Sequence, residues 1–310
     1  MSGSCPLCGS GERLVSKLDK GFQLFECTAC MFQFVLPRPG IDELKAVYDP
    51  PPEWSSTFHT MEEAQKTGRR FQRMISPYSS GREVLEVGCN TGFILQGLKQ
   101  FGYSVCGTDL SETALAYARR EYGLTDLYCS EFPPEDREET FDVVIASHII
   151  EHVIDPPRFV TECARFLKPG GLFLVLTPNV RSVGIRTFGR HYPVFCPPIH
   201  LNYFSTRTLR RVLSGAFDVV WSETESHWAD PRNTTFNALV SMSDAIGVKN
   251  RLKNADAFKA TSQNGPSSPG GAMGFLRKTS HAAQLLASPL FALGDWTGAG
   301  ENISLLARKK

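Results

Sequence analysis

Between residues 81 and 226, short apolar runs alternate with stretches whose apolar positions recur every three to four residues. The runs at Glu83–Val87, Ser104–Asp109, 127–130, Phe141–Ser147, 172–178 and 217–222 are mostly rich in β-branched or aromatic residues and predict buried strands. After the first of them, Phe93, Ile94, Leu95, Leu98 and Phe101 fall on one helix face. Residues 111–122, 157–167 and Thr206–Leu213 are the clearest further helices, and Ser111 followed by Glu112 makes a helix start. Strand-helix alternation of this kind predicts an α/β fold with a parallel, doubly wound sheet. A seventh strand is expected at 303–307.

The first strand runs into Gly88-Cys-Asn-Thr-Gly92 before the helix opens at Phe93. Glycines there allow a tight turn and let backbone approach a ligand closely. Asn90, between them, is a residue type that tolerates positive φ. Asp109 ends the next strand about twenty residues on, where a carboxylate accepts hydrogen bonds from ribose hydroxyls. The middle glycine of the dinucleotide fingerprint is missing, and no Gly-Lys-Ser/Thr follows. A pyrophosphate cradle and a P-loop are therefore excluded, and a nucleoside pocket without a pyrophosphate is expected.

Cysteine usage adds a second module. Cys5-Pro-Leu-Cys8 and Cys27-Thr-Ala-Cys30 are two C-x-x-C knuckles at a spacing that suits one tetrahedral zinc, with 22–25 as a hairpin strand leading into the second. The other five of the nine cysteines are scattered over expected core elements, which argues against a disulfide framework. With no signal peptide in view, a reducing, cytoplasmic setting is expected. Four thiolates close the coordination, so the zinc would be structural.

The 310 residues suffice for one sizeable domain with appendages, and the net charge of +1 gives no generally basic surface. The longest apolar stretch, 282–293, is too short for a membrane span. The expected organisation is a zinc ribbon at 1–40, a mostly helical connector at 41–80 broken by Pro50-Pro-Pro52, an α/β core at 81–226, an insertion at 227–300 and a final core strand at 301–310. Residues 263–271 read as a flexible loop by composition. From Lys249 to Lys310, nine Lys/Arg face three Asp/Glu, which reads as a solvated basic face.

With these motifs in hand, the chain resembles the class I S-adenosylmethionine (SAM)-dependent methyltransferases over roughly 69–217. Phe141–Ser147 resembles the family's fourth strand, Leu167-Lys-Pro-Gly-Gly171 the turn before the fifth, and 172–178 that strand. Glu151-His152-Val153 is similar to a segment of ubiquinone-type O-methyltransferases and of sugar and natural-product methyltransferases. The resemblance implies a seven-stranded Rossmann-like sheet whose last strand is antiparallel. It also implies that Glu86, Gly88 and Gly92 face the methionine part of SAM, with Asn90 where the family more often has glycine. Asp109 and Leu110 would lie at the ribose, Ser130, Glu131 and Phe132 at the adenine, and Ser147 beside the methyl donor.

Methyl transfer to a hydroxyl or an acidic C–H needs a base, and imidazole suits neutral pH. His148, Glu151 and His152 follow the fourth strand, and His200 follows the fifth, where ligands of parallel sheets bind. His148, His200 and His152 are the candidate catalytic residues; Glu151 is expected to brace the following helix. His191 is expected to shape the acceptor site, and His59, His227 and His281 to be structural. His148-Ile-Ile-Glu151-His152 also matches the H-x-x-E-H of zinc proteases, but it leaves a strand rather than lying in a long helix. Ubiquinone-type enzymes carry E-x-x-E-H residues resembling a magnesium site; here His148 replaces the first carboxylate, which suits Mg²⁺ less well.

The expected function is methyl transfer from SAM to an oxygen or carbon of a small molecule: a sugar nucleotide, a natural-product intermediate or a phenol, with the insertion roofing the acceptor. The alternatives are a ribosomal RNA methyltransferase and a non-catalytic SAM-fold interaction protein. Residues 1–80 hold nine Lys/Arg and nine Asp/Glu, so the ribbon region lacks the basic face of an RNA-binding module. The fourth strand also ends in Ser147-His148 rather than in the Asn/Asp-Pro-Pro-Tyr/Phe segment of amino-methylating nucleic-acid enzymes.

Overall fold

The computed structural model describes residues 4–18, 21–40, 43–44, 60–226, 294–295 and 297–310. Three strands come first: β1 (Glu12–Lys17), β2 (Gln23–Cys27) and β3 (Gln33–Leu36). Helix α1 (Met61–Ile75) opens on a capping box, in which Thr60 and Glu63 satisfy each other's backbone N–H groups. The α/β region then runs β4 (Glu83–Val87), α2 (Phe93–Lys99), β5 (Ser104–Asp109), α3 (Glu112–Tyr122), β6 (Leu127–Cys129) and β7 (Phe141–Ser147). It continues with α4 (Pro156–Phe166), β8 (Leu167–Pro178), α5 (Val183–Phe188), β9 (Asn202–Tyr203), α6 (Thr206–Leu213), β10 (Phe217–Glu225) and β11 (Asn302–Lys309).

Seven strands form one mixed sheet in the order β10-β11-β8-β7-β4-β5-β6. The β4–β5, β5–β6, β4–β7 and β7–β8 pairings are parallel. The chain moves outward from β4 through β5 to β6, then returns to place β7 on the opposite flank of β4. That reversal makes the crevice beyond the carboxyl ends of β4 and β7 the binding position of an open α/β sheet. The fully buried Val84, Leu85, Val143, Val144, Ile145, Phe173, Leu174 and Val175 form the centre of the sheet. Helix α1 approaches α2 where Gly68 meets Gly97; a Cβ on either would overlap the other helix's backbone.

Leu167-Lys-Pro-Gly-Gly171 is not a turn ahead of the fifth core strand. Leu167 pairs directly with Phe141, the register shifts before Val143, and the strand continues to Pro178. Gly170, at φ +71°, absorbs the irregularity inside the ladder.

The chain divides into two compact units. One comprises residues 1–178, 197–223 and 303–310; the other comprises 179–196 and 224–302. In the second unit Glu301 is the organising group: it accepts hydrogen bonds from Tyr192 and from the Gly184 N–H that opens α5. Burial raises both the Glu301 carboxyl and the Tyr192 hydroxyl above their ordinary values. Residues 227–293, most of the expected insertion, lie outside the described residues, as do Pro50 to Pro52, His59, His227, His281 and the loop at 263–271. Among the described residues no helix is long and apolar enough to cross a membrane.

Candidate active site

The turn after β4 is built from three left-handed residues: Gly88 (φ +72°), Asn90 (φ +49°) and Gly92 (φ +72°). Asn90 adopts the conformation for which its residue type is suited. At Gly88 a side chain is excluded twice, by φ and because its Cβ would overlap Ile149 Cδ1. The turn is fastened to β5. Gly88 N and Cys89 N both donate to Thr108 O at 2.8 Å, and Asn90 N donates to Asp109 Oδ2 at 2.8 Å.

Asp109 Oδ1 accepts from Ser111 N at 2.9 Å, so this carboxylate organises the turn and the start of α3 together. Burial raises its pKa, against the backbone N–H groups of Ser111, Asn90 and Leu110. Glu86 is 2% exposed, and its Oε2 has no hydrogen-bond partner. Burial first, then the Asp109 charge, pushes its carboxyl well above the ordinary value. A buried acid held near a second carboxylate suits a cationic ligand group.

Leu110 is exposed beside Asp109. Ser130 Oγ donates to Phe132 O at 2.7 Å, and Glu131 O accepts from Thr108 Oγ1 at 3.1 Å, which ties this segment to the end of β5. The Phe132 ring packs on Phe159 and Phe166, with centroids 5.7 and 5.8 Å away. Ser147 is the last residue of β7, paired with Leu176.

His148 leaves β7 at φ +57°, a conformation uncommon outside glycine and often found at functional sites. Its N–H still donates to Leu176 O at 2.9 Å, so the left-handed residue is locked by the β8 ladder. Its Nδ1 lies 3.3 Å from Glu151 Oε1, and about a third of the side chain is exposed. Glu151 is buried. Its Oε2 accepts from Thr177 Oγ1 at 2.9 Å, while its Oε1 lies 3.3 Å from His148 Nδ1 and 3.9 Å from His152 Nε2. Burial raises the Glu151 carboxyl. The His148 interaction and the charges of His152 and His200 reverse that and hold it at about 2.

His152 Nδ1 is 2.9 Å from Ile199 O. A carbonyl can only accept, so Nδ1 carries the proton and Nε2 faces Glu151. The His152 and His200 rings meet edge to face at 4.8 Å. The structure therefore brings all three candidate catalytic histidines around one carboxylate. It regroups the metal reading of His148, Glu151 and His152: the ligand atoms that converge, within 4.8 Å, are those of Glu151, His152 and His200. Thr177 escaped the sequence reading because a threonine inside an apolar strand carries no pattern of its own. His191 sits in a single 3₁₀ turn of the second unit.

The four N-terminal cysteines converge as well, with all ligand atoms within 4.8 Å of one another. Cys5 Sγ lies 3.6 Å from Cys30 Sγ, and Cys8 Sγ 3.5 Å from Cys27 Sγ. A tetrahedron with metal–sulfur bonds of about 2.3 Å has sulfur separations of roughly 3.8 Å, close to these values. The backbone N–H groups of Leu7, Ala29 and Cys30 point at sulfur, and positive-φ residues, Gly9 and Met31, follow each knuckle. Hydrogen bonding from Ser10 lowers the Cys8 thiol to about 6 despite burial, whereas burial raises Cys5 and Cys30. None of the nine cysteines is joined in a disulfide.

Sheet order, glycine turn and acidic strand end together define a class I SAM-dependent methyltransferase fold. The family described as "Methyltransferase domain" matches residues 58–218, and the chain belongs to it. A ubiquinone biosynthesis O-methyltransferase of Bradyrhizobium diazoefficiens is 33% identical over 132 residues, covering 40% of this chain and 52% of that protein. A probable S-adenosylmethionine-dependent methyltransferase of Mycolicibacterium smegmatis is 40% identical over 103 residues, covering 32% of this chain and 39% of the other. The chain thus spans about half the length of the first of these relatives. Among solved structures, the [4+2]-cyclase SpnF shares the fold, with a TM-score of 0.52 and 20% identity over 88% of this chain and 98% of that one.

Proposed function

We propose that this protein transfers the methyl group of SAM to an oxygen or carbon of a small molecule: a sugar nucleotide, a natural-product intermediate or a phenol. The observation that carries the reading is His148, held at positive φ at the mouth of the crevice with Nδ1 against the buried Glu151 carboxylate.

SAM supplies a methyl group already activated by its sulfonium. The chain's part is to bind, orient and deprotonate. Glu86, with an unpartnered buried oxygen, would receive the cationic amino group, and the side-chain-free Gly88 and Gly92 with Asn90 would admit the methionine part to the backbone. Asp109 would hold the ribose hydroxyls, flanked by Leu110, and Ser130, Glu131 and Phe132 would border the adenine. Ser147 would lie beside the reacting methyl.

Because a carboxylate only accepts, Glu151 favours the His148 tautomer protonated at Nδ1. On that tautomer Nε2 is the basic ring nitrogen, and it would take the acceptor's proton, a contribution of about 10²–10⁴ in rate. His152 and His200 would complete the acceptor side. Positioning the nucleophile in line with the methyl accounts for much of the remaining barrier reduction. Cys5, Cys8, Cys27 and Cys30 would hold one structural zinc, a reading their separations support.

The nucleic-acid alternative is disfavoured by the balanced charge of residues 1–80. The test is calorimetry of SAM on the pure protein, followed by a metabolite screen with labelled SAM. Asp109→Ala should weaken SAM at least about tenfold. Unchanged affinity removes the carboxylate from the site, and no binding of SAM to the wild type overturns the function.

A further inference from the structure

Residues 149–154 carry the chain from β7 to α4, and four of their carbonyls accept hydrogen bonds from a single neighbouring assembly. Asn202 Nδ2 donates to Ile150 O at 3.2 Å and to Val153 O at 2.7 Å. Leu201 N and Asn202 N donate to Glu151 O at 2.8 and 3.0 Å. Arg38 Nη1 donates to Ile154 O at 3.0 Å. The same segment that supplies Leu201 and Asn202 carries His200, and Ile199 O holds the His152 ring.

The donors are themselves held by the cysteine ribbon. β9 is the fourth strand of the ribbon sheet, in the order β1-β2-β3-β9, with Phe34 paired to Asn202 and Gln33 to Tyr203. Val35 N donates to Leu201 O at 3.0 Å, and Phe32 packs on Phe204 at 5.1 Å. Arg38, two residues past β3, places its second nitrogen, Nη2, 2.8 Å from Asn202 Oδ1. Its guanidinium also lies 5.9 Å from the Phe34 ring. One planar fork therefore spans β9 and the far end of the histidine loop, with both donors in a fixed geometry that a lysine's single rotatable ammonium does not impose. Burial lowers Arg38 to about 10, opposed by Asp155 and Cys5, so it remains a donor at neutral pH.

We propose that the cysteine ribbon is a working part of the active site and that Arg38 is its positioning residue. By locking β9 to the 150–154 loop, Arg38 sets the directions of Glu151, His152 and His200. The proposal deepens the function proposed above and rests on it only for the role of those side chains.

The test uses the zinc-loaded full chain with ¹³Cε1-labelled histidine, its signals assigned with His152→Gln and His200→Gln. Wild type, Arg38→Met and Arg38→Lys are titrated, and SAM affinity is measured by calorimetry. Arg38→Met should move the His152 and His200 titration midpoints by at least about 0.5 pH unit and leave SAM affinity within about twofold. Arg38→Lys should fall between Arg38→Met and wild type. If Arg38→Met does not fold, the lysine variant carries the test. Wild-type midpoints for both histidines in the folded variants overturn the proposal. A wild type that fails to bind SAM while the midpoints move refutes the methyltransferase reading and leaves the coupling standing.

Discussion

Replacing Glu151 by glutamine tests the electrostatics of the site without knowledge of the acceptor. The Glu151 carboxyl stands at about 2 in the folded chain, against an ordinary value of 4.5. A group whose pKa is lowered by folding stabilises the native state above its unfolded pKa, and that stabilisation disappears as pH falls through the folded one. Linkage across that interval gives roughly 3 kcal/mol at pH 5 and roughly 1.5 kcal/mol at pH 3. A glutamine side chain does not titrate, so the difference in stability between Glu151→Gln and wild type should shrink by roughly 2 kcal/mol between those two values. Urea denaturation of both proteins at a series of pH values measures this. Acid-labile groups that do not interact with Glu151, the cysteine cluster included, cancel in the difference. Parallel stability curves between pH 5 and pH 3 would refute the conclusion that the histidine charges hold Glu151 ionised.

Two further outcomes follow from the geometry. Gly88→Ala combines a left-handed φ with overlap on Ile149, and should cost about 2–4 kcal/mol in denaturant stability together with a loss of SAM affinity; a cost under about 0.5 kcal/mol would show that the turn relaxes freely. Metal analysis should find one zinc per chain, lost in Cys27→Ser. A second equivalent that survives in Cys27→Ser and disappears in His200→Ala would move Glu151, His152 and His200 from proton handling to metal binding.

The likeness in fold to a [4+2]-cyclase illustrates why the sheet alone does not name a reaction. In this chain a cluster of imidazoles surrounds one buried carboxylate, and a strand paired with β3 holds the backbone beside it.

Much of this was legible along the chain. Alternating apolar runs and helical periodicities marked the strands of the sheet, because burial on one or both faces leaves a local signature in residue type. The glycine turn and Asp109 were readable because backbone conformation and close ligand approach restrict the residues allowed at each step. The two cysteine knuckles were readable because paired C-x-x-C spacings set thiols to meet, and the four sulfurs do converge. The zigzag through 167–171 was misread as a turn: Pro and Gly there do mark an irregularity, but only the pairing of Leu167 with Phe141 makes it a bulge within a ladder.

The tertiary structure alone decided which side chains meet. Arg38 reaches Ile154 and Asn202 across 116 and 164 residues, and Thr177 reaches Glu151 across 26. No periodicity encodes such encounters. They arise when β3 pairs with β9 and β8 lies beside β7, so that atoms remote in sequence share a few ångströms. The glycine turn was therefore visible in the sequence, whereas the hydrogen bonds that join β3, β9 and the loop at 149–154 emerged only on folding.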